Sequence, residues 1–120
     1  MKMNIFLTGG SGFIGKNIIE ELGKKYNIIS PTHSELDLTD TQKVDAFFDS
    51  NSFDLVLHCA NIGGNRSEAG LSDIIKINLR IFLNIIRNQN KVKKIYILDL
   101  EQNMINQGTY TKYLRKNLAI

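Results

Sequence analysis

The chain has 120 residues, 42% of them hydrophobic and 22% charged, and a formal net charge of +3. That length and balance suit one globular domain over residues 1–120 with no separate substrate domain, and exclude a disordered tail or a collagen-like repeat. The positive charge sits on scattered lysines, among them Lys24, Lys25, Lys91, Lys93 and Lys94, with no interleaved aromatic residues, which reads as solvated surface and not as a nucleic-acid patch.

Residues 4–17 carry the most information. Ile5, Phe6 and Leu7 form a short apolar run without helical period, as expected of a central parallel strand covered on both faces. Gly9, Gly10, Gly12 and Gly15 follow at once, in both Gly-x-Gly-x-x-Gly and Thr-Gly-x-x-Gly-x-x-Gly spacing. Such glycines permit a sharp strand-to-helix turn, the approach of a pyrophosphate to the backbone, and close helix–strand packing, with the helix N-terminus aimed at the phosphates. Ile14, Ile18, Ile19 and Leu22 then make one apolar helical face, closed by Gly23. A strand before the glycines and a helix behind them favour dinucleotide binding over an empty Gly-Ser turn.

Residues 26–30 read as a second strand, stopped by Pro31. The segment from Ser30 to His33 lies where an acidic residue would hold a ribose 2′-hydroxyl and a basic one a 2′-phosphate. His33 either serves a 2′-phosphate when protonated or is an exposed loop histidine. A short third strand is predicted at 35–38, then a capping-box pattern, Thr39-x-x-Gln42, opening a helix with Val44, Phe47 and Phe48 inward. Asp37 at that strand end either accepts from an adenine amino group or forms a turn. Residues 53–60 read as the fourth strand, ending in the loop 61–66 at the carboxyl edge, where open parallel sheets hold ligands. Arg66 is there available to an anionic substrate or to solvent. His58 and Cys59 read as core residues beside the site, since no base, acid or metal partner is spaced to activate them. A single cysteine excludes an internal disulfide, no Cys/His cluster has metal-ligand spacing, and no apolar run of about 18 residues would cross a membrane. The expectation is a soluble, cytoplasmic protein.

Residues 72–89 form the longest predicted helix. Ile74, Ile77, Ile81 and Ile85 share one face, Ile75, Leu79, Phe82 and Ile86 the next, and Leu83 lies beyond, so apolar residues cover roughly two-thirds of the circumference. Such a helix needs two partners: the sheet, and either another helix of the chain or a second subunit, here expected to make a homodimer through helix 72–89. Asn78 is the single polar intrusion read in that arc, and is expected to order the site. Residues 94–100 read as the fifth strand, and 109–120 begin another helix. The alternation predicts an α/β fold, a doubly wound (Rossmann) parallel sheet of five strands in the order 3-2-1-4-5.

Thr8-Gly9-Gly10-Ser11-Gly12-Phe13-Ile14-Gly15, Asp37-Leu38-Thr39-Asp40, Val56-Leu57-His58-Cys59-Ala60-Asn61 and Asn78 together resemble the N-terminal part of the extended short-chain dehydrogenase/reductase family, the NAD(P)-dependent nucleotide-sugar epimerases, dehydratases and reductases. Within it, residues 34–40 and 60–64 are most similar to GDP-fucose synthase-type epimerase-reductases. The resemblance runs from Met3 to about Leu98. It implies NAD or NADP as cofactor, held by Gly9, Gly12, Phe13, Ile14, Gly15, His33, Asp37, Leu38, Cys59, Ala60 and Asn61, with Asn78 in support and a nucleotide-sugar as substrate.

The resemblance also implies a Tyr-x-x-x-Lys pair and a nearby Ser or Thr that pass a proton, the lysine cation lowering the pKa of the tyrosine. Here the chain departs from its relatives. Residues 99–102 offer no hydroxyl, and the best match to the pair, around Gly108 and Lys112, keeps the lysine but puts glycine at the tyrosine position. Tyr110 is two residues before Lys112, and Tyr113 is three before Lys116. The substrate-binding C-terminal portion has no counterpart. Two readings follow. One is an oxidoreductase or epimerase by descent, whose chain is a fragment or draws missing groups from a partner. The other is a dinucleotide-binding or dimerising module without catalysis.

Overall fold

The computed structural model describes residues 2–60 and 70–98. Strand β1 (Asn4–Thr8) runs through the middle of a parallel sheet, with β2 (Asn27–Ile29) on one side, β3 (Leu55–His58) on the other and β4 (Lys94–Ile97) beyond β3. Alternation along β1 sets the layers: Ile5 and Leu7 point to one face, Phe6 to the other. Ile5 and Leu7 join Leu55, Leu57 and Leu98 beneath Ile18 and Leu22 of helix α1 (Phe13–Leu22). On the opposite face Phe6 and Val56 meet Val44 and Phe48 of α2 (Thr41–Ser50) and Ile85 of α3 (Leu71–Ile86). Helices therefore cover both faces, which is why β1 and β3 are continuous apolar runs. Phe6 centres the second layer, fully buried, with its ring centroid 4.9, 5.4 and 5.2 Å from those of Phe47, Phe48 and Phe53.

Among the described residues the sheet has four strands in the order β2-β1-β3-β4, not five. The inner order is as predicted, and the outer strand at 35–38 is absent. Local acceptors take the backbone donors that a ladder would need. Thr32 N–H donates to Glu35 Oε1 at 2.8 Å, while Glu35 N–H approaches Thr32 Oγ1 at 3.3 Å, a reciprocal capping box that turns the chain. Leu36 N–H donates to Thr32 O at 2.9 Å. Leu36 is nonetheless buried in the core, so the apolar residue that suggested a strand packs from a turn instead. The predicted Thr39 cap is also displaced: Thr39 donates both its N–H and its hydroxyl to Asp37 Oδ1, and Asp40 caps α2 by accepting from Lys43 N–H at 3.1 Å.

Two helix faces differ from expectation. Ile19 is 41% exposed, while Ile18 and Leu22, with Ile14 beside them, seat α1 on the sheet. Helix α3 ends at Ile86 and passes into a 3₁₀ turn, Gln89–Lys91, before reaching residue 89. Its inward side holds Ile81 and Ile85 together with two buried amides, Asn84 and Asn88, while Asn78 is only half-buried. At 100° per residue Asn84 lies about 60° from Ile81 on the side away from Ile85, at the margin of the apolar arc, yet it is buried, so the inward side carries a polar residue besides Asn78.

Candidate dinucleotide site

Strands β1 and β3 are neighbours whose chains leave the sheet in different directions, and the crevice at such a switch point is where open α/β sheets bind ligands. The turn after β1 fills it. Gly9 has φ 75°, and a Cβ there would lie 2.8 Å from both Ala60 N and the Cys59 carbonyl carbon. A Cβ on Gly15 would strike Gly9 O and come within 2.6 Å of Gly10 Cα. These two glycines are demanded by the fold itself: one by its left-handed backbone, the other by the close seat of α1 on the turn. Gly12 is different. It caps α1 in extended conformation with φ −78°, its N–H donates to Gly9 O at 3.1 Å, and an added Cβ would make only ordinary contact with Gly9 O at 3.5 Å. Among the described residues no side chain caps this helix start and no acid stands in its first turn, so its first N–H groups and the positive end of its dipole are left for a ligand or water.

Thr8 fastens the two strand ends beneath that turn. Its hydroxyl lies 3.0 Å from Cys59 N, 3.1 Å from Ala60 N and 2.7 Å from His58 Nδ1. A hydroxyl has two lone pairs and one proton; the two amide donors take the lone pairs, so the proton goes to His58 Nδ1. His58 is therefore the neutral Nε2–H tautomer. Burial also pushes its pKa below the ordinary 6.5, which agrees with an uncharged ring. Burial acts the opposite way on Cys59, whose thiol is pushed up to about 12, so it stays protonated and unreactive at neutral pH.

The far side of the turn meets the end of β2. A Cβ on Gly10 would collide with Ser30 Oγ, which puts the Ser30 hydroxyl at the edge of the glycine turn. Beyond Ser30 the chain carries three carboxylates before α2: Asp40 caps that helix, and the other two are engaged within the loop, Glu35 by Thr32 and Asp37 by the hydroxyl and N–H of Thr39. Those bonds hold these two carboxyls below their ordinary range, Glu35 chiefly through the Thr32 backbone and Asp37 chiefly through the Thr39 side chain. His33 is exposed, and its charge and that of Lys43 act on Asp37 in the same direction.

Of the residues proposed from sequence, Gly9, Gly12, Phe13, Ile14, Gly15, Cys59 and Ala60 come together around the turn, and His33, Asp37 and Leu38 lie in the segment that follows Ser30. Asn78 lies on α3. Asn61, Arg66, Tyr110, Tyr113 and Lys112 lie outside the described residues, as do 99–102 and the predicted helix 109–120. Thr8 and Ser30 were not singled out as site residues. The signal for Thr8 was its place between the strand and the first glycine, where a hydroxyl has two backbones within reach.

Comparison with known proteins follows this geometry. Residues 5–98 match the model of the NAD dependent epimerase/dehydratase family. GDP-L-fucose synthase 1 of Arabidopsis thaliana is 33% identical over 100 residues, which is 78% of this chain and 31% of that protein. GDP-L-colitose synthase of Yersinia pseudotuberculosis is 28% identical over 99 residues, 78% of this chain and 32% of its own length. Among solved structures, a GDP-mannoheptose C4 reductase from Campylobacter jejuni with NADP bound superposes with a TM-score of 0.74 at 33% identity, over 80% of this chain and 32% of that one. The chain thus spans about a third of the length of these relatives. With the match covering most of its residues, the glycine turn among them, the chain belongs to the NAD dependent epimerase/dehydratase family.

Proposed function

We propose that this chain is the NAD(P)-binding domain, over residues 1–120, of a nucleotide-sugar epimerase, dehydratase or reductase, and that it takes NADP(H) in preference to NAD(H). Gly12 carries the first part. The fold does not require glycine there, whereas a pyrophosphate resting on the uncapped start of α1 does. In this reading Gly9, Gly12, Phe13, Ile14 and Gly15 line the pyrophosphate, Asp37 and Leu38 the adenine, and Cys59, Ala60 and Asn61 the floor toward the nicotinamide. The cofactor, when bound, supplies hydride chemistry. That the similar Campylobacter reductase has NADP bound supports a dinucleotide as the ligand.

The coenzyme preference rests on the loop after β2. Its carboxylates are occupied by their own turns, and what remains beside the turn is the Ser30 hydroxyl and the exposed His33. A 2′-phosphate there meets a hydroxyl donor and an imidazole, a cation when protonated, in place of a competing free acid. Fluorescence titration is expected to show NADPH binding at least about tenfold tighter than NADH, a difference of about 1.4 kcal/mol. Tighter NADH binding would refute the preference and leave the site intact; binding of neither would remove both.

A homodimer through α3 belongs to the same proposal. Ile75, Leu79 and Leu83 are 56%, 53% and 52% exposed and recur every fourth residue, one ridge along the helix. A two-fold axis at Leu79 sets Ile75 of one copy opposite Leu83 of the other, so the ridge is complementary to itself in antiparallel pairing.

A further inference from the structure

Resting on the reading of 37–38 as the adenine side of the site, we propose that Asn84 of α3 is a positioning residue for the adenosine half of the cofactor, acting through the turn it grips. Asn84 is 4% exposed, yet both ends of its amide are used. Its Nδ2 donates to the Leu38 carbonyl at 2.8 Å, and its Oδ1 accepts from the Thr41 hydroxyl at 2.9 Å. One side chain thus spans the connection from the Asp37 turn to the first residue of α2. That connection also holds itself by local bonds: Asp37 Oδ1 collects the N–H and hydroxyl of Thr39, and Asp40 N–H donates to Asp37 O at 3.0 Å. These local bonds fix the shape of the turn, Leu36 and Leu38 pack it against the Phe6 layer, and Asn84 ties its backbone to α3.

Asn84 is itself anchored. Its backbone carbonyl accepts from Asn88 Nδ2 at 2.9 Å, and the same Nδ2 donates to Asp45 Oδ1 of α2 at 3.0 Å. Asn88 Oδ1 accepts from Lys91 Nζ at 2.8 Å. Thr41, Asp45 and Asp49 therefore form a polar row along α2, facing Asn84, Asn88 and Lys91, and Lys91 also pairs with Asp49 at 2.6 Å. For bulk stability alone an apolar seam between two helices would serve at least as well as buried amides. What an apolar side chain at 84 cannot do is hold a carbonyl and a hydroxyl at once, so the amide specifies where residues 37–41 sit.

The test uses the whole chain with Asn84→Asp, which keeps the shape but turns the donor into an acceptor facing Leu38 O, and with Thr41→Val, which removes the hydroxyl on the α2 side. Three quantities are read: binding of NADPH and of adenosine 2′,5′-bisphosphate by calorimetry, amide exchange at Asp40 and Val44, and amide exchange at Phe6 and Leu57 in the central strands. Positioning predicts both adenosine-bearing ligands weakened about tenfold in Asn84→Asp and about threefold in Thr41→Val, as losing a hydrogen bond to a held group implies. Exchange at Asp40 and Val44 rises while Phe6 and Leu57 stay protected. Unchanged affinity in a folded variant overturns the proposal, as does exchange that rises equally at all four amides, which marks a purely structural role. If Asn84→Asp does not fold, Thr41→Val decides by the same criteria. Wild-type chain that binds neither ligand refutes the dinucleotide reading itself, a result separable from tight wild-type binding that the variants leave untouched.

Discussion

Gly12 and Gly15 are three residues apart and do opposite things. A Cβ on Gly15 collides with the Gly9 carbonyl, so Gly15→Ala is expected to lower the melting temperature by several degrees, the usual result of about 1–3 kcal/mol of overpacking. Gly12→Val adds a Cβ in ordinary contact with Gly9 O and should remain folded, costing about 1 kcal/mol through a poorer helix cap. Thermal melts of the two variants check the contrast. From sequence the middle glycine belongs to a pyrophosphate and the last to close helix packing, and the atoms that an added Cβ would meet separate the two positions in the same way. His58 carries the pH dependence. Its folded pKa lies below 6.5, so the unfolded chain binds a proton that the folded chain refuses; the contribution is whole above pH 6.5 and is lost as pH falls toward the folded value. The slope is at most about 1.4 kcal/mol per pH unit. Asp37 and Asp54, the latter held low chiefly by Asn4 N–H, begin to lose theirs only near their ordinary 3.8, so the range between pH 6.5 and 5 separates the histidine from the carboxylates. Melting from pH 8 to 5 is expected to fall in the wild type and to flatten in His58→Gln; parallel curves would contradict the neutral-tautomer assignment.

Helix α3 has two sides with different chemistry. Inward, Ile81 and Ile85 pack while Asn84 and Asn88 bond to α2 and the 37–41 turn; outward, Ile75, Leu79 and Leu83 are exposed. Hydrophobic periodicity identified the helix and its surplus of apolar surface. It could not assign the buried amides, because an asparagine in an apolar arc gives no sign of which backbone will meet it. The missing strand at 35–38 has a similar cause: Leu36 is apolar and buried as a strand residue would be, but the capping box of Thr32 with Glu35 and the turn at Asp37 satisfy the backbone locally. Leu79 is the element's test. Leu79→Glu places like charges opposite each other on the two-fold axis and should give monomer, with melting unchanged within about 0.5 kcal/mol since the site is half in water already. Sedimentation of the wild type as a monomer at micromolar concentration would contradict the dimer, and a variant that remains dimeric would move the interface off this ridge.

Across the molecule, two apolar layers hold one parallel sheet, and its carboxyl edge carries a glycine turn, an uncapped helix start and the Thr8–His58 fastening. The sheet order and this edge were legible because consecutive apolar strands, a glycine turn and a following helix leave few arrangements of a right-handed α/β unit. The acid–base groups implied by family resemblance fall at residues outside the described ones, where Gly108 stands at the tyrosine position and Lys112 keeps the lysine. A placed general acid contributes ~10²–10⁴-fold, so the purified chain is expected to show negligible oxidation of NADPH with a 4-keto nucleotide sugar. A steady rate abolished by Tyr110→Phe or Tyr113→Phe would overturn that and identify a relocated acid. The central claim is that the open cradle at Gly12 receives a dinucleotide pyrophosphate, and calorimetric titration of NADPH into wild-type chain and Gly12→Val tests it most directly. The account predicts one site per chain in the wild type and affinity at least about 100-fold weaker in the folded variant, the equivalent of about 3 kcal/mol of steric conflict. Equal affinity in the two proteins, or no heat of binding in the wild type, would contradict it.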